Sequence, residues 1–217
     1  VYLIHHETTT GVLNSLQRVA ETAKGHGKWV MVDAVSSVAG EEFDLPNWGV
    51  DLIIGSANKC IRGVPGIGFV VVSDEFREAI SQRRPVAFST DLVDTLDREE
   101  TGETPFTPPV QTMYALREAL CELLEEGVSA RIAHYRDIAK TLRDGLAAME
   151  LSLLVPREHL SNTMTTVKLP VGISYADLHQ PLKEQEYLIY KSQGHLSETT
   201  FRLGTVGVIS LEDVRGF

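Results

Sequence analysis

The sequence predicts an α/β fold, a mostly parallel sheet with flanking helices followed by a small C-terminal α+β unit, and three observations carry that reading. Short runs that are apolar throughout, at residues 1–4, 29–32, 52–54 and 68–72, alternate with helical patterns in the first half, as strands buried on both faces of a sheet do. From Leu151 onward the order becomes strand, strand, helix, strand, strand. The 217 residues, 43% hydrophobic and 23% charged, can bury one large core or two small ones, which excludes a disordered, collagen-like or disulfide-scaffolded chain.

Each element has its own local reason. Residues 13–24 place Leu13, Leu16, Val19, Ala20 and Ala23 at helical spacing, and Gly25 and Gly27 close the pattern. The strand at 29–32 ends on Asp33, and the strand at 52–54 leads into Gly55-Ser56-Ala57-Asn58-Lys59. Ser73 is an N-cap for a helix to about Arg83. Residues 85–109 read as a long polar irregular segment, which in a compact unit is functional or interfacial. Helices follow at 110–126 and 129–149, then strands at 151–155 and 163–169, a helix at 175–186, and strands at 188–191 and 200–203. The expected division is a large unit at 1–125, including the interface segment 85–109, and a linker helix with the small unit at 126–217. Both ends fall inside regular elements: residues 1–4 read as the end of a strand, and Ser210 opens a capped helix. The chain is therefore expected to be a piece of a longer protein, lacking an N-terminal segment.

In a parallel α/β sheet, ligands bind beyond the carboxyl ends of the strands. Three such ends carry polar groups: His5-His6-Glu7-Thr8-Thr9-Thr10-Gly11, Asp33-Ala34-Val35-Ser36-Ser37, and Ser56-Ala57-Asn58-Lys59-Cys60. Lys59 lies between an apolar strand and the small-residue run Gly63-Val64-Pro65-Gly66-Ile67-Gly68. Desolvation there favours the neutral amine that forms a Schiff base, although a loop-mouth lysine with its head in water fits the same context. A strand-end carboxylate such as Asp33 can hold a cationic heterocycle nitrogen, or simply cap the next turn. The 63–68 glycines suit either a phosphate contact or a tight turn.

Neighbouring residues on a strand face opposite ways, so His5 and His6 do not share an ion, and no metal site is expected. Cys60 has no adjacent histidine to act as its base. The balance of 20 Lys+Arg against 30 Asp+Glu gives a net charge of −10, which argues against non-specific nucleic-acid or anionic-membrane partners but permits a local anion site. No apolar run reaches the roughly 18 residues of a transmembrane helix. Two cysteines, Cys60 and Cys121, point to a reducing, cytoplasmic compartment.

The segments 5–11, 32–37 and 56–66, in that order and with Asp33 and Lys59 26 residues apart, resemble class-V, fold type I aminotransferases. Phe106-Thr107-Pro108-Pro109 and Phe201-Arg202-Leu203-Gly204 match later motifs, so the likeness covers nearly the whole chain. It implies a pyridoxal 5′-phosphate enzyme in which Lys59 forms the Schiff base and moves the substrate proton, and Asp33 pairs with the pyridinium nitrogen. Val35 would lie against the ring, Thr8 approach the phenolic oxygen, and Thr107 reach the cofactor phosphate of a neighbouring subunit. Arg202, otherwise read as a surface arginine on a strand, would bind the substrate's anionic group. The implied partners are a small amino donor and a 2-oxo acid, in a homodimer with its active site at the subunit interface. Asn58 and the triple threonine favour the branch acting on 2-aminoethylphosphonate and pyruvate over the alanine/serine–glyoxylate branch. A non-catalytic fragment is the alternative of a different class, since the family's helix-borne phosphate turn and ring-stacking aromatic residue are not in this sequence.

Overall fold

The computed structural model describes residues 1–84 and 87–217, so the first two residues of the segment 85–109 lie outside the described residues. Strand β1 (Tyr2–Ile4) is followed by a small hairpin, β2 (His6–Glu7) and β3 (Val12–Leu13), and then by helix α1 (Leu16–Gly25). Next come β4 (Met31–Asp33), α2 (Leu45–Trp48), β5 (Leu52–Ser56), β6 (Gly68–Val72) and α3 (Asp74–Ile80). The first sheet has the order β1-β4-β5-β6. Its first three strands are parallel because helical crossovers separate them, and β6 is antiparallel because the 57–67 connection contains no helix. Leu16, Ala20 and Ala23 of α1 pack on Val30, Val32, Ala34 and Ile53. β6 is less covered than a strand buried on both faces: Val70 and Val71 are exposed.

Helix α4 (Leu92–Glu100) lies within the segment expected to be irregular, a correction with a clear local cause. The Asp91 carboxylate accepts the amides of Val93 and Asp94, and Arg98 pairs with Asp94 one turn away. α5 (Val110–Glu126) and α6 (Val128–Ala148) meet at Gly127, whose φ of 89° breaks the helix.

The second sheet is built from β7 (Met164–Lys168), β8 (Tyr190–Lys191) and β9 (Thr200–Gly204) in the order β7-β9-β8, with α7 (Tyr175–Glu184) and α8 (Leu211–Gly216) packed nearby. The strand expected at 151–155 is only a single bridge, Leu153 to Val167, bounded by Glu150 at φ 60° and by Pro156. The helix expected from Leu13 starts at Leu16, because Val12 and Leu13 pair with Glu7 and His6. α6 serves two cores: Tyr135 packs with Ala39, Cys60, Ile61, Ala119 and Leu123, while Leu142 and Leu146 pack with Val167, Ile189, Phe201 and Leu203.

Candidate active site

The parallel register brings three strand ends to one edge. Ile4 pairs with Asp33 and Asp33 with Ile54. Beyond the ladder, the His5 amide donates to the Asp33 carbonyl oxygen at 2.9 Å and the Ala34 amide to that of Ile54 at 2.9 Å. The loop carrying Thr8, the turn carrying Asp33 and Val35, and the turn carrying Lys59 therefore leave the sheet side by side.

The Asp33 carboxylate is half-buried and committed at both oxygens. Oδ1 accepts the Val35 amide at 3.1 Å, and Oδ2 accepts the Tyr2 hydroxyl at 3.3 Å. The capping role and the cleft-facing role are compatible, since each carboxylate oxygen keeps a second lone pair beyond the bond it accepts. Ser56 Oγ donates to the Val35 carbonyl oxygen at 3.2 Å, tying this turn to the end of β5.

Lys59 sits in a tight turn closed by Gly63 N to Ala57 O at 2.8 Å and Arg62 N to Lys59 O at 2.9 Å. Its side chain is half-buried, and no ion pair among the described residues engages it. The turn is held from beneath by residues without a sequence signature. Arg131 of α6, almost wholly buried, donates from Nη1 to the Cys60 carbonyl oxygen at 2.9 Å and pairs with Glu126. The buried Cys60 thiol donates to the Ser36 carbonyl oxygen at 3.7 Å. Burial, with Glu41 nearby, pushes that thiol up to about 12, which makes it a packing group rather than a nucleophile. Gly40 allows this approach: a Cβ there would lie 2.6 Å from Cys60 Sγ.

Arg202 reaches the same edge from the second sheet. Its Nη1 donates to the Thr8 carbonyl oxygen at 3.2 Å and its Nη2 to that of Lys191 at 3.2 Å, while the buried Nε has no partner among the described residues. Thr9 is tied the same way, its carbonyl oxygen accepting from Thr166 Oγ1 at 3.3 Å. Gly11, at φ 82° and tight against the Met164 carbonyl, lets the loop pass under β7. Thr107 is exposed, in the bend before α5, and no hydrogen bond among the described residues joins it to the strand-end cluster.

His5 and His6 part company as the alternation predicts. His5 Nδ1 meets Ser37 Oγ at 3.1 Å, and burial followed by the His6 charge pushes its ring down to about 4. His6 spans Ser36 and Ser161. Burial pushes the Glu41 carboxyl up to about 7, although it accepts the Asn162 backbone and side-chain N–H groups and Arg143 and Arg136 act against the shift. Neither Glu41 nor Ser161 was visible as a site-supporting residue in the sequence, because each acts on a partner at least 120 positions away.

Residues 1–209 match the model of the class-V aminotransferases. The chain belongs to that family. Over 98% of its length it is 39% identical to a 2-aminoethylphosphonate–pyruvate transaminase of Aeromonas hydrophila, of which it spans 57%. Crystal structures of a ureidoglycine–glyoxylate aminotransferase from Bacillus subtilis and an alanine–glyoxylate aminotransferase from Nostoc sp. superpose with TM-scores of 0.91 each. Both are 29% identical and are matched over 99% of this chain and 57% and 58% of their own. The chain thus has the architecture of a fold type I aminotransferase and spans under two thirds of the length of these relatives. The class is pyridoxal-phosphate dependent, and the residues present suit that group: an amine and a carboxylate from adjoining strand ends, and a guanidinium with an unsatisfied buried N–H on the same edge.

Proposed function

We propose that this chain carries the lysine, aspartate and arginine of a pyridoxal-phosphate-dependent transaminase that converts 2-aminoethylphosphonate and pyruvate to phosphonoacetaldehyde and alanine. The observation that carries the reading is the convergence at one sheet edge: Lys59 and Asp33 leave adjacent parallel strands, and Arg202 is tied to the Thr8 loop leaving the third. Pyridoxal phosphate, when bound, supplies an electron sink that acidifies the hydrogen on the carbon bearing the donor's amino group. Lys59 Nζ would accept that proton and carry it in the transfer. The Asp33 carboxylate would keep a proton on the ring nitrogen, Val35 would offer an apolar surface to the ring, and Thr8 would serve the phenolic oxygen. The Arg202 fork binds the phosphonate of the donor and the carboxylate of the acceptor.

In this reading residues 1–125 form most of the cofactor unit and 126–217 the linker helix and small unit, in a cytoplasmic homodimer where Thr107 serves the neighbour's cofactor phosphate. The identity to 2-aminoethylphosphonate–pyruvate transaminases supports the substrate pair. The TM-score of 0.91 to glyoxylate aminotransferases favours, as a second reading, alanine or serine with glyoxylate.

Two measurements test the proposal. Titration of the chain with pyridoxal phosphate should give a visible band distinct from free cofactor, absent in Lys59→Ala; no such band in the wild-type chain defeats the assignment of a self-sufficient cofactor site. Initial rates with 2-aminoethylphosphonate, alanine and serine as donors then decide the branch, and a preference for glyoxylate over pyruvate overturns the phosphonate choice.

A further inference from the structure

His6 has no part in the chemistry above, yet its ring is buried and both nitrogens are engaged. Nδ1 lies 3.2 Å from the Ser36 carbonyl oxygen, and Nε2 lies 2.8 Å from Ser161 Oγ. A carbonyl oxygen only accepts, so Nδ1 carries the proton and a neutral ring leaves a lone pair on Nε2. Ser161 fits that assignment. Its oxygen accepts the amides of Thr163 at 3.4 Å and Met164 at 3.2 Å, so its own proton is directed at Nε2. The contact with Ser36 is reciprocal, because Ser36 Oγ donates to the His6 carbonyl oxygen at 3.2 Å.

What the ring joins gives it a role. Ser36 follows Val35 in the turn fixed by Asp33, and its carbonyl also receives the thiol of Cys60, the residue after Lys59. Ser161 leads into β7, where Thr166 pairs with Arg202. One imidazole therefore stands between the turns bearing Asp33 and Lys59 and the sheet bearing Arg202.

We propose that His6 is a positioning residue of the site: through Nδ1–H to Ser36 and Nε2 to Ser161 it sets the Asp33–Val35 turn against the Arg202-bearing sheet. The inference rests on the pyridoxal-phosphate reading of that edge. The charged groups around it oppose one another: Glu7 favours a charged ring, whereas Lys59 disfavours it, and His5 lies alongside. On the Ser161 side, Arg143 donates to the serine's carbonyl oxygen. Burial outweighs these and holds the ring below the ordinary histidine range, so it is neutral at pH 7. Protonation in acid would direct a second N–H at a serine oxygen whose lone pairs already accept two amides, and the bridge to Ser161 would open.

The test combines a measurement on the wild-type chain with two variants. Nitrogen-15 imidazole spectra at neutral pH should show His6 as the neutral tautomer protonated at Nδ1, with Nε2 bare; a proton on Nε2 overturns the proposal. His6→Asn keeps a donor near Nδ1 but falls short of Ser161, and His6→Gln reaches toward Ser161 but gives up Ser36. Each should weaken pyridoxal phosphate, titrated by its visible band, and raise KM for 2-aminoethylphosphonate, by about tenfold at most for one neutral hydrogen bond. Variants that match wild type in both, whether or not their melting temperature falls, make His6 merely structural and overturn the proposal. A wild-type chain that takes up no pyridoxal phosphate sinks the site reading and this inference together; wild-type uptake with unaffected variants sinks this inference alone.

Discussion

Arg202 and Lys59 are side chains of ordinary type whose proposed roles depend on where they are held. Arg202 spends two of its donor groups on the carbonyls of Thr8 and Lys191, and its buried Nε has no partner among the described residues, so the guanidinium is held in one orientation on the protein side. Arg202→Ala should raise KM for 2-aminoethylphosphonate by roughly ten- to a hundredfold, the worth of a charge-assisted hydrogen bond, while pyridoxal phosphate affinity changes less. Equal losses in steady-state kinetics and cofactor titration would instead mark the arginine as a brace for the Thr8 loop. For Lys59→Ala, turnover in single-turnover kinetics should fall by roughly a thousandfold or more, since the proton-transfer group is gone.

The elements supply supports that single residues lack. α6 grips the Lys59 turn through Arg131, whose guanidinium joins the Cys60 carbonyl to Glu126. Arg131→Met strands the Cys60 carbonyl, while the part-exposed Glu126 carboxylate keeps Arg62, and calorimetry should register a loss of about 1–3 kcal/mol. The loop after β4 meets the second sheet through Glu41, which receives Asn162. Its folded carboxyl, at about 7 against 4.5 for the ordinary group, contributes stability below pH 4.5 that is lost as pH rises through 7. His5, at about 4, works in the opposite sense: its contribution is present above pH 6.5 and lost as pH falls through 4. Glu41→Gln removes the first effect alone. Its stability relative to wild type should therefore rise between pH 5 and pH 8, by about 2.5 kcal/mol for a shift of this size, as melting temperatures at the two pH values will show.

At the scale of the whole molecule, apolar side chains crowd one exposed stretch: Phe106, Val110, Met113, Tyr114, Leu120 and Leu124, on α5 and the bend before it. Such surface on one element is the usual mark of a protein contact. Thr107 lies on that same stretch, exposed and apart from the strand-end cluster of its own chain, which agrees with service to a neighbour. Sedimentation velocity of the pyridoxal-phosphate-loaded chain should show a dimer, and Thr107→Ala should weaken cofactor binding. A monomer that binds cofactor normally removes Thr107 from the site.

The sequence by itself determined the alternation of apolar strands with helices, the order of the three polar strand ends, and through them the family. Those features are local: a run of apolar residues, a glycine stop, and Asp33 and Lys59 each placed just after a strand. Helix α4 was also local but was masked by the polarity of its segment, although Asp91, the Asp94–Arg98 pair and the spacing of Leu92, Val93 and Leu96 all signal a helix. Tertiary structure decided the rest. Only the parallel register puts Asp33 beside Ile4 and Ile54, and only the return of the chain in β7 and β9 sets Arg202 on Thr8, Ser161 on His6 and Asn162 on Glu41. The physical reason is range. Periodicity and capping act over three or four residues, whereas these hydrogen bonds join groups more than a hundred positions apart and exist only once both cores are packed.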